Sequence, residues 1–429
     1  TARFFSGDLA ELLIFEGALS TANREAIESY LTQKWFTSAL DFANLFEGYI
    51  DRIVPNPERG EEDAYVYATD EMNKFNQDTN IILLTDYTEA QILGFLSILT
   101  ALAKETITDP GVDLYPWFWL QNENNLAKAN QIAKSSAGLF YSDQFGVMRY
   151  ENRAHRGKYH ATPEYHFDNT HHRLKYDYGS RELANRIITK WHYREKAAAL
   201  SDLWTLGNVP LILGMETAVY WAVFSNPADD VVNPVASTDF TANSQADGLG
   251  VDMTFYMTVT PVIYGATVKL TVANIGSSEF YVTLLKVRGK TITEVSKGEA
   301  VSEGAVSIAI YGQITNNFDA LYLSDPELAQ GRSDLLLSRK KDPVTELGLV
   351  LRPASDAMLT QMLSREISDC IRITDDLAGI ISDDYHIEKI THRILPEIHE
   401  TEWYLTFFAD AFDYWILGTS ALGTGTRLA

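Results

Sequence analysis

VDMTFYMTVTPVIYGATVKLTVANIGSSEFYVTLLKVRGKTITEVS, residues 251–296, carries the cleanest pattern in the chain and decides its class. Val251, Met253, Phe255, Met257 and Val259 alternate with Asp252, Thr254, Tyr256 and Thr258. Val268, Leu270 and Val272 then alternate with Thr267, Lys269 and Thr271. Asn274-Ile275-Gly276 supplies a turn, and Phe280, Val282 and Leu284 resume the pattern. Successive side chains of an extended chain point to opposite faces, so a period of two means strands with one buried face. Short strands divided by turns predict an immunoglobulin-like β-sandwich with its core at 248–296, inside an insertion spanning 201–300. The stretch before it, Asn226 to Asp247, is polar and rich in Pro, Asn and Ser, and reads as a loop or linker.

Toward the C-terminus, Ser324-Asp325-Pro326-Glu327 reads as a capping box with proline in the first helical turn. That helix carries Leu328, Leu335 and Leu336 and ends before Pro343. Residues 349–408 return to strands, with Thr401, Trp403, Leu405 and Phe407 on one face, and Gly418 to Ala429 reads as an extended arm. Toward the N-terminus, a hairpin turns at Asp143 and Gly146, after a helix that points Leu126, Ile132 and Ala133 inward and stops at Gly138. Thr88 and Gln91 form a capping box for a helix with a core stripe of Ile92, Phe95, Leu96, Leu99 and Leu102. Pro55 and Pro57 read as a turn, followed by a strand with alternating Tyr65 and Tyr67. In residues 1–36 a strand, Leu9 to Phe15, precedes a helix capped by Ser20 with Ile27, Tyr30, Leu31 and Trp35 on one face. A lone strand and helix cannot bury those faces, so this piece either packs on the segment C-terminal to it or ends a domain lying upstream. The fold class is α+β, β-rich and multidomain, divided at 1–36, 37–110, 111–200, 201–300, 301–410 and 411–429.

Composition narrows the function. Of 429 residues 46% are hydrophobic, enough for real cores and for two to four domains. Aromatics reach 12%, which favours strands. The formal charge of −23 argues against a nucleic-acid binder, which needs Lys/Arg patches for phosphate, and suits a soluble surface or a conduit through which DNA slides without sticking. The single cysteine, Cys370, excludes an intrachain disulfide and a cysteine-based zinc site, and its apolar setting reads as a buried small hydrophobe. No apolar run reaches the roughly 18 residues a membrane span needs. The chain opens on Thr1 with no signal peptide, as an internal point of a longer protein would.

No catalytic constellation emerges, so no catalytic, cofactor-binding or metal residue is assigned and the chain reads as a non-enzyme. His155, His160, His166, His171, His172 and His192 cluster in sequence, but their spacing lacks a helical His-x-x-x-His or an HExxH. The cluster reads as a polar strip, and ion binding would need its members to converge in space. Asp229-Asp230, Asp375-Asp376 and Asp383-Asp384 are carboxylate pairs in turn contexts, where Asp caps helices or shapes loops more often than it catalyses. GxSxG, P-loop and GxGxxG patterns are missing, and Gly418 to Gly425 has no strand–helix unit after it.

Two resemblances add to this. Gly7-Asp8, Ala10-Glu11, Ala18-Leu19-Ser20, Tyr30-Leu31 and Lys34-Trp35 resemble the end of a laminin-G-like, concanavalin-type jelly roll, which implies a lectin-like domain upstream. The rest resembles the tail-tip or baseplate-hub proteins of tailed phages, the minor tail proteins. Its landmarks run in order: Leu45-Phe46-x-Gly48-x-Ile50 with Ala68-Thr69-Asp70; Gly138-Leu139-Phe140-Tyr141-x-Asp143; and Gly146-x-x-Arg149-Tyr150-Glu151-Asn152-Arg153-x-His155-Arg156. Ala273-Asn274 with Leu285-x-Val287-Arg288-Gly289 and Ser307-Ile308 with Tyr311-Gly312 come next. Arg372-Ile373-Thr374-Asp375, Gly379-Ile380, Tyr385-His386-Ile387-Glu388 and His392 complete the series. The segment from Arg156 to Pro234 departs from the pattern.

The resemblance implies tube-like hub β-domains at 37–110 and 301–410 and a helix-hairpin module at 111–200. It also implies a ring, usually a homotrimer, in the virion's tail tip. Expected partners are further copies of the chain, the tail tube or distal tail protein and the tape-measure protein, with a host glycan reached through the upstream lectin-like domain. The alternatives are a glycan-binding adhesin with the C-terminal part as stalk, and a tail-associated hydrolase whose catalytic domain lies outside this chain.

Overall fold

Apolar side chains set at period two bring distant strands together here, and one long strand pairs with five others along its length. The computed structural model describes residue 24 and residues 44–58, 61–102, 104, 106–179, 183–395 and 398–407. The laminin-G-like reading of 1–36 and the C-terminal arm at 411–429 lie outside the described residues, apart from Arg24. The chain is β-rich and of α+β type, with several sheets and interspersed helices.

The first pair of strands, Tyr49–Glu58 and Glu61–Thr69, forms an antiparallel hairpin. Pro55 and Pro57 lie within its ladder, opposite Ala64 and Glu62, and do not form the expected turn. A two-stranded ribbon has free edges, and prolines two apart both turn their N–H-less nitrogen the same way, so the ladder tolerates them.

Residues 71–151 build a mixed body around Phe75, Ile92, Leu93, Leu96, Tyr115, Phe118 and Ile132. The Thr88/Gln91 capping box opens the helix Glu89–Leu99, as expected. That helix buries Leu93 in place of Leu99, which is exposed in its last turn. A second helix, Asn125–Ser135, leads into the hairpin Leu139–Ser142 with Met148–Glu151. At its turn the Asp143 carboxylate accepts from the amides of Phe145 and Val147, both at 2.9 Å, and Gly146 takes φ +68°.

The pattern that decided the class forms a two-sheet body. Thr217–Val223, Thr267–Asn274 and Met257–Ile263 make one antiparallel sheet, with Thr267–Asn274 central. Its Val268, Leu270 and Val272 are fully buried against Phe280, Val282, Leu285 and Val287 of the facing sheet. Two expectations fail here. Residues 251–256 are not strand: the Asp252 carboxylate accepts from the Thr254 amide at 2.9 Å and starts a 3₁₀ turn, Thr254–Tyr256, that leaves Phe255 exposed. Leu284 is not the next inward residue, because a bulge opposite Thr241 and Ala242 shifts the face to Leu285. The supposed linker also contributes: Phe240–Asn243 is a strand whose Phe240 and Ala242 join this core.

One strand, Phe280–Glu303, continues past this body. Its first part pairs with Leu211–Ile212, Phe240–Asn243 and Ser201–Thr205. Its last part pairs antiparallel with Arg186–Lys196, which pairs parallel with Thr315–Ala320. The helix Pro326–Lys340 covers that sheet through Ala329 and Ser333. Asp325, not Ser324, is its N-cap, accepting from the Glu327 amide at 2.8 Å; Ser324 donates instead to the His192 carbonyl, so the expected capping box is absent.

The last sheet has six strands in the order Tyr165–Asp168, Cys370–Asp375, Ile380–Leu395, Ile398–Phe407, Val344–Leu351 and Arg173–Gly179. Its core holds Phe167, Leu347, Leu349, Ile371, Ile387, Trp403 and Leu405, closed by Met358 and Met362 of the helix Asp356–Ser364. Thr401, Trp403 and Leu405 share a buried face as expected, while Phe407 at the strand end is exposed.

Candidate functional site

A cavity of about 330 Å³ opens where the 139–160 segment meets the loop that precedes Cys370. The short helix His155–Tyr159 comes directly after the hairpin. Glu164 lies just before the strand Tyr165–Asp168, and Asp369 just before Cys370–Asp375. These two strands pair in parallel, so their leading residues come side by side, and the Glu164 amide donates to the Cys370 carbonyl at 2.8 Å.

The wall is polar. His155 lies between two carboxylates, with Nδ1 2.7 Å from Asp109 and Nε2 3.5 Å from Glu151. The His160 ring stands 5.3 Å from that of His155, and its Nδ1 is 2.7 Å from Glu164 and 3.7 Å from Asp369. Arg365 pairs with Glu164 and lies 3.2 Å from Asp369. Burial raises Asp369 to about 6, and it also raises Glu366 at the same wall. Glu151 accepts from Tyr141 at 2.6 Å and from Ser368 at 2.5 Å, and burial pushes the Tyr141 hydroxyl up.

Behind this wall Arg156 clamps Glu388 with two bonds of 2.6 and 2.9 Å, and Thr406 donates to the same carboxylate at 2.6 Å. Burial alone would raise Glu388, but these donors outweigh it and leave it lowered. A second buried knot lies between the first body and the helix Pro326–Lys340. There Asp113 holds Arg153 at 3.0 Å and pairs with Arg332, while Glu89 accepts from the amides of Val112 and Asp113.

Of the clustered histidines, only His155 and His160 meet at the cavity. His166 bonds to Thr374, His171 to Asp375, and His192 lies between Glu294 and Asp319. The three carboxylate pairs do not converge. Lys196 holds Asp229 and Asp230; Asp375 accepts from the Ala378 amide and Asp376 meets Asn169; Arg372 clamps Asp384. Cys370 is fully buried, and burial pushes its thiol up to about 12. The sequence reading missed Asp109, Glu164, Glu366 and Asp369. A carboxylate at a strand entrance looks like any surface acid until its neighbour strand is known.

Among the described residues, no helix is long and apolar enough to cross a membrane. No family model matches the chain, and no curated protein matches it. Solved structures do resemble it. A prophage MuSo2 43 kDa tail protein from Shewanella oneidensis is 11% identical over 85% of this chain and 81% of its own, with a TM-score of 0.47. A tail protein from Neisseria meningitidis MC58 is 7% identical over 85% and 80%, also at 0.47. Prophage tail protein gp18 from Listeria monocytogenes EGD-e is 10% identical over 87% and 82%, at 0.40.

Proposed function

We propose that this chain is a structural subunit of a phage-type tail, placed at the tail tip or baseplate hub as one member of a ring. The observation that carries the reading is the strand Phe280–Glu303, which hydrogen-bonds in the two-sheet body and again with Arg186–Lys196. Tying these partners into one sheet through a single long backbone strand makes a stiff frame, suited to holding partners at fixed angles. The ordered landmarks of the sequence resemblance support the same reading, with tube-like hub domains, a helix-hairpin module and an immunoglobulin-like insertion. In the virion the ring is a homotrimer that joins the tail tube to the tip and the host-contacting parts, with the distal tail protein and the tape-measure protein as further partners.

Surface character supports assembly. On the outer face of the three-stranded sheet Val219, Trp221, Val223 and Val262 are each about half exposed, an apolar strip that a ring of copies would cover. The net charge of −23 suits a lumen that DNA crosses without sticking. Light scattering on the full chain, alone and with tail-tube protein, tests this. The expected result is a closed assembly of three chains. A monomer at every concentration, with and without tube protein, overturns the reading.

A further inference from the structure

We propose that His160, Glu164 and Asp369 form a site for one divalent transition ion of the zinc class, which staples the segment after the hairpin to the entrance of the six-stranded sheet. One ligand atom from each residue lies within 4.8 Å of the other two. The gaps from His160 Nδ1 are 2.7 Å to Glu164 Oε1 and 3.7 Å to Asp369 Oδ1. An ion with bonds of about 2.0–2.2 Å sets its ligands roughly 3–3.5 Å apart, so these gaps bracket what it needs.

The carboxylate oxygens are sorted. Glu164 Oε1 and Asp369 Oδ1 face His160, while Glu164 Oε2 and Asp369 Oδ2 face Arg365. Asp369 Oδ2 also accepts from the Glu366 amide at 3.0 Å. Arg365 therefore orients both acids from behind and turns their other oxygens toward His160, the role of an outer-shell partner in a metal site. A bound ion would replace the His160–Glu164 hydrogen bond and its proton. The backbone fixes the rest: the His160 amide donates to the Arg156 carbonyl at 2.9 Å, and Glu164 is tied to Cys370. The adjoining cavity offers room for water to complete the coordination.

One imidazole and two carboxylates suit Zn²⁺ or Mn²⁺, with Zn²⁺ favoured by the usual affinity order; Ca²⁺ wants six to eight oxygens. His192 differs instructively. Its two carboxylates sit on opposite ring nitrogens, so they cannot share an ion with it. The pair His392 and His399, with ring nitrogens 3.1 Å apart, is the rival zinc binder.

Calorimetric titration of the chelator-treated full chain with ZnCl₂ tests the proposal, with thermal unfolding as a second readout. Wild type is expected to bind one ion per chain and to unfold at a higher temperature with zinc. His160→Ala and Asp369→Asn should each weaken binding by more than about 100-fold and lose the thermal shift, and Arg365→Gln should weaken it by about 10–100-fold, as outer-shell losses do. Without zinc, the variants should unfold at temperatures close to wild type, which separates lost ligation from lost folding. His392→Ala should change nothing. No saturable binding by wild type, unchanged binding by His160→Ala, or Ca²⁺ binding as tight as Zn²⁺ each overturns it.

Discussion

The two-sheet body and the joints around residues 109–156 are held by opposite means. In the first, Val268, Leu270, Val272, Phe280 and Leu285 are fully buried, and specificity comes from alternation along strands. In the second, contact is made by charges: Arg332 and Arg153 on Asp113, Arg156 on Glu388, and histidines among carboxylates. Apolar burial is non-directional and tolerant, whereas a buried ion pair requires both partners in place. The joints should therefore fail sharply when one partner is lost, and the two-sheet body gradually as volume is removed.

The largest expected effect lies in the joints. Arg332→Met leaves the buried Asp113 short of a partner and should cost about 3–5 kcal/mol, with Asp113→Asn in the same chain recovering most of it. Hydrogen exchange across the helix Pro326–Lys340 reads both. If the single variant exchanges like wild type, the contrast collapses. In the two-sheet body, Leu270→Ala should cost about 3 kcal/mol by loss of packing, seen as faster exchange in Thr267–Asn274. A second change there cannot rescue it by restoring charge balance, which sharpens the difference.

Acid should separate the regions as well. His386, buried beside Arg156, has its imidazole lowered to about 4, first by burial and then by the Arg156 charge. The unfolded chain takes up its proton near 6.5 and the folded one only near 4. Its contribution is therefore whole above 6.5 and is lost as pH falls to 4, roughly 3 kcal/mol in all. Asp369, raised to about 6 at the same strand entrance, gains stability as pH falls and works the other way, so the test is a difference. Through that window the urea midpoint of wild type, read by exchange of Cys370–Asp375, should fall relative to that of His386→Gln, while at Thr267–Asn274 the two chains keep a constant offset. The smallest effect should come from Arg352→Ala. Its pair with Glu400 spans 2.9 Å but Arg352 is exposed, so the loss should stay below about 1 kcal/mol by the same exchange measurement. A larger loss would mean that ion pairs matter here whatever their burial.

The same division explains what could be read in advance. The buried row Val268, Leu270 and Val272, and the Thr88/Gln91 cap, are local patterns and appear as expected. Errors came where side chains act on their own backbone or where a short strand hides among polar residues. Asp252 bends the chain at Thr254, and Phe240–Asn243 lies within a stretch that looks like a linker. The joints were illegible because their partners, such as Arg156 and Glu388 or Asp113 and Arg332, stand 232 and 219 residues apart. Periodicity cannot register such a pairing.

The strand Phe280–Glu303 also sets how the molecule answers to pulling. Its ladder bonds stand across the chain axis. Tension applied along that strand loads many rungs at once in shear, whereas force applied across its edge would unzip them singly. The strand is thus a spar that resists stretch along one direction and peels along another, so its orientation would fix the direction in which the molecule bears mechanical stress.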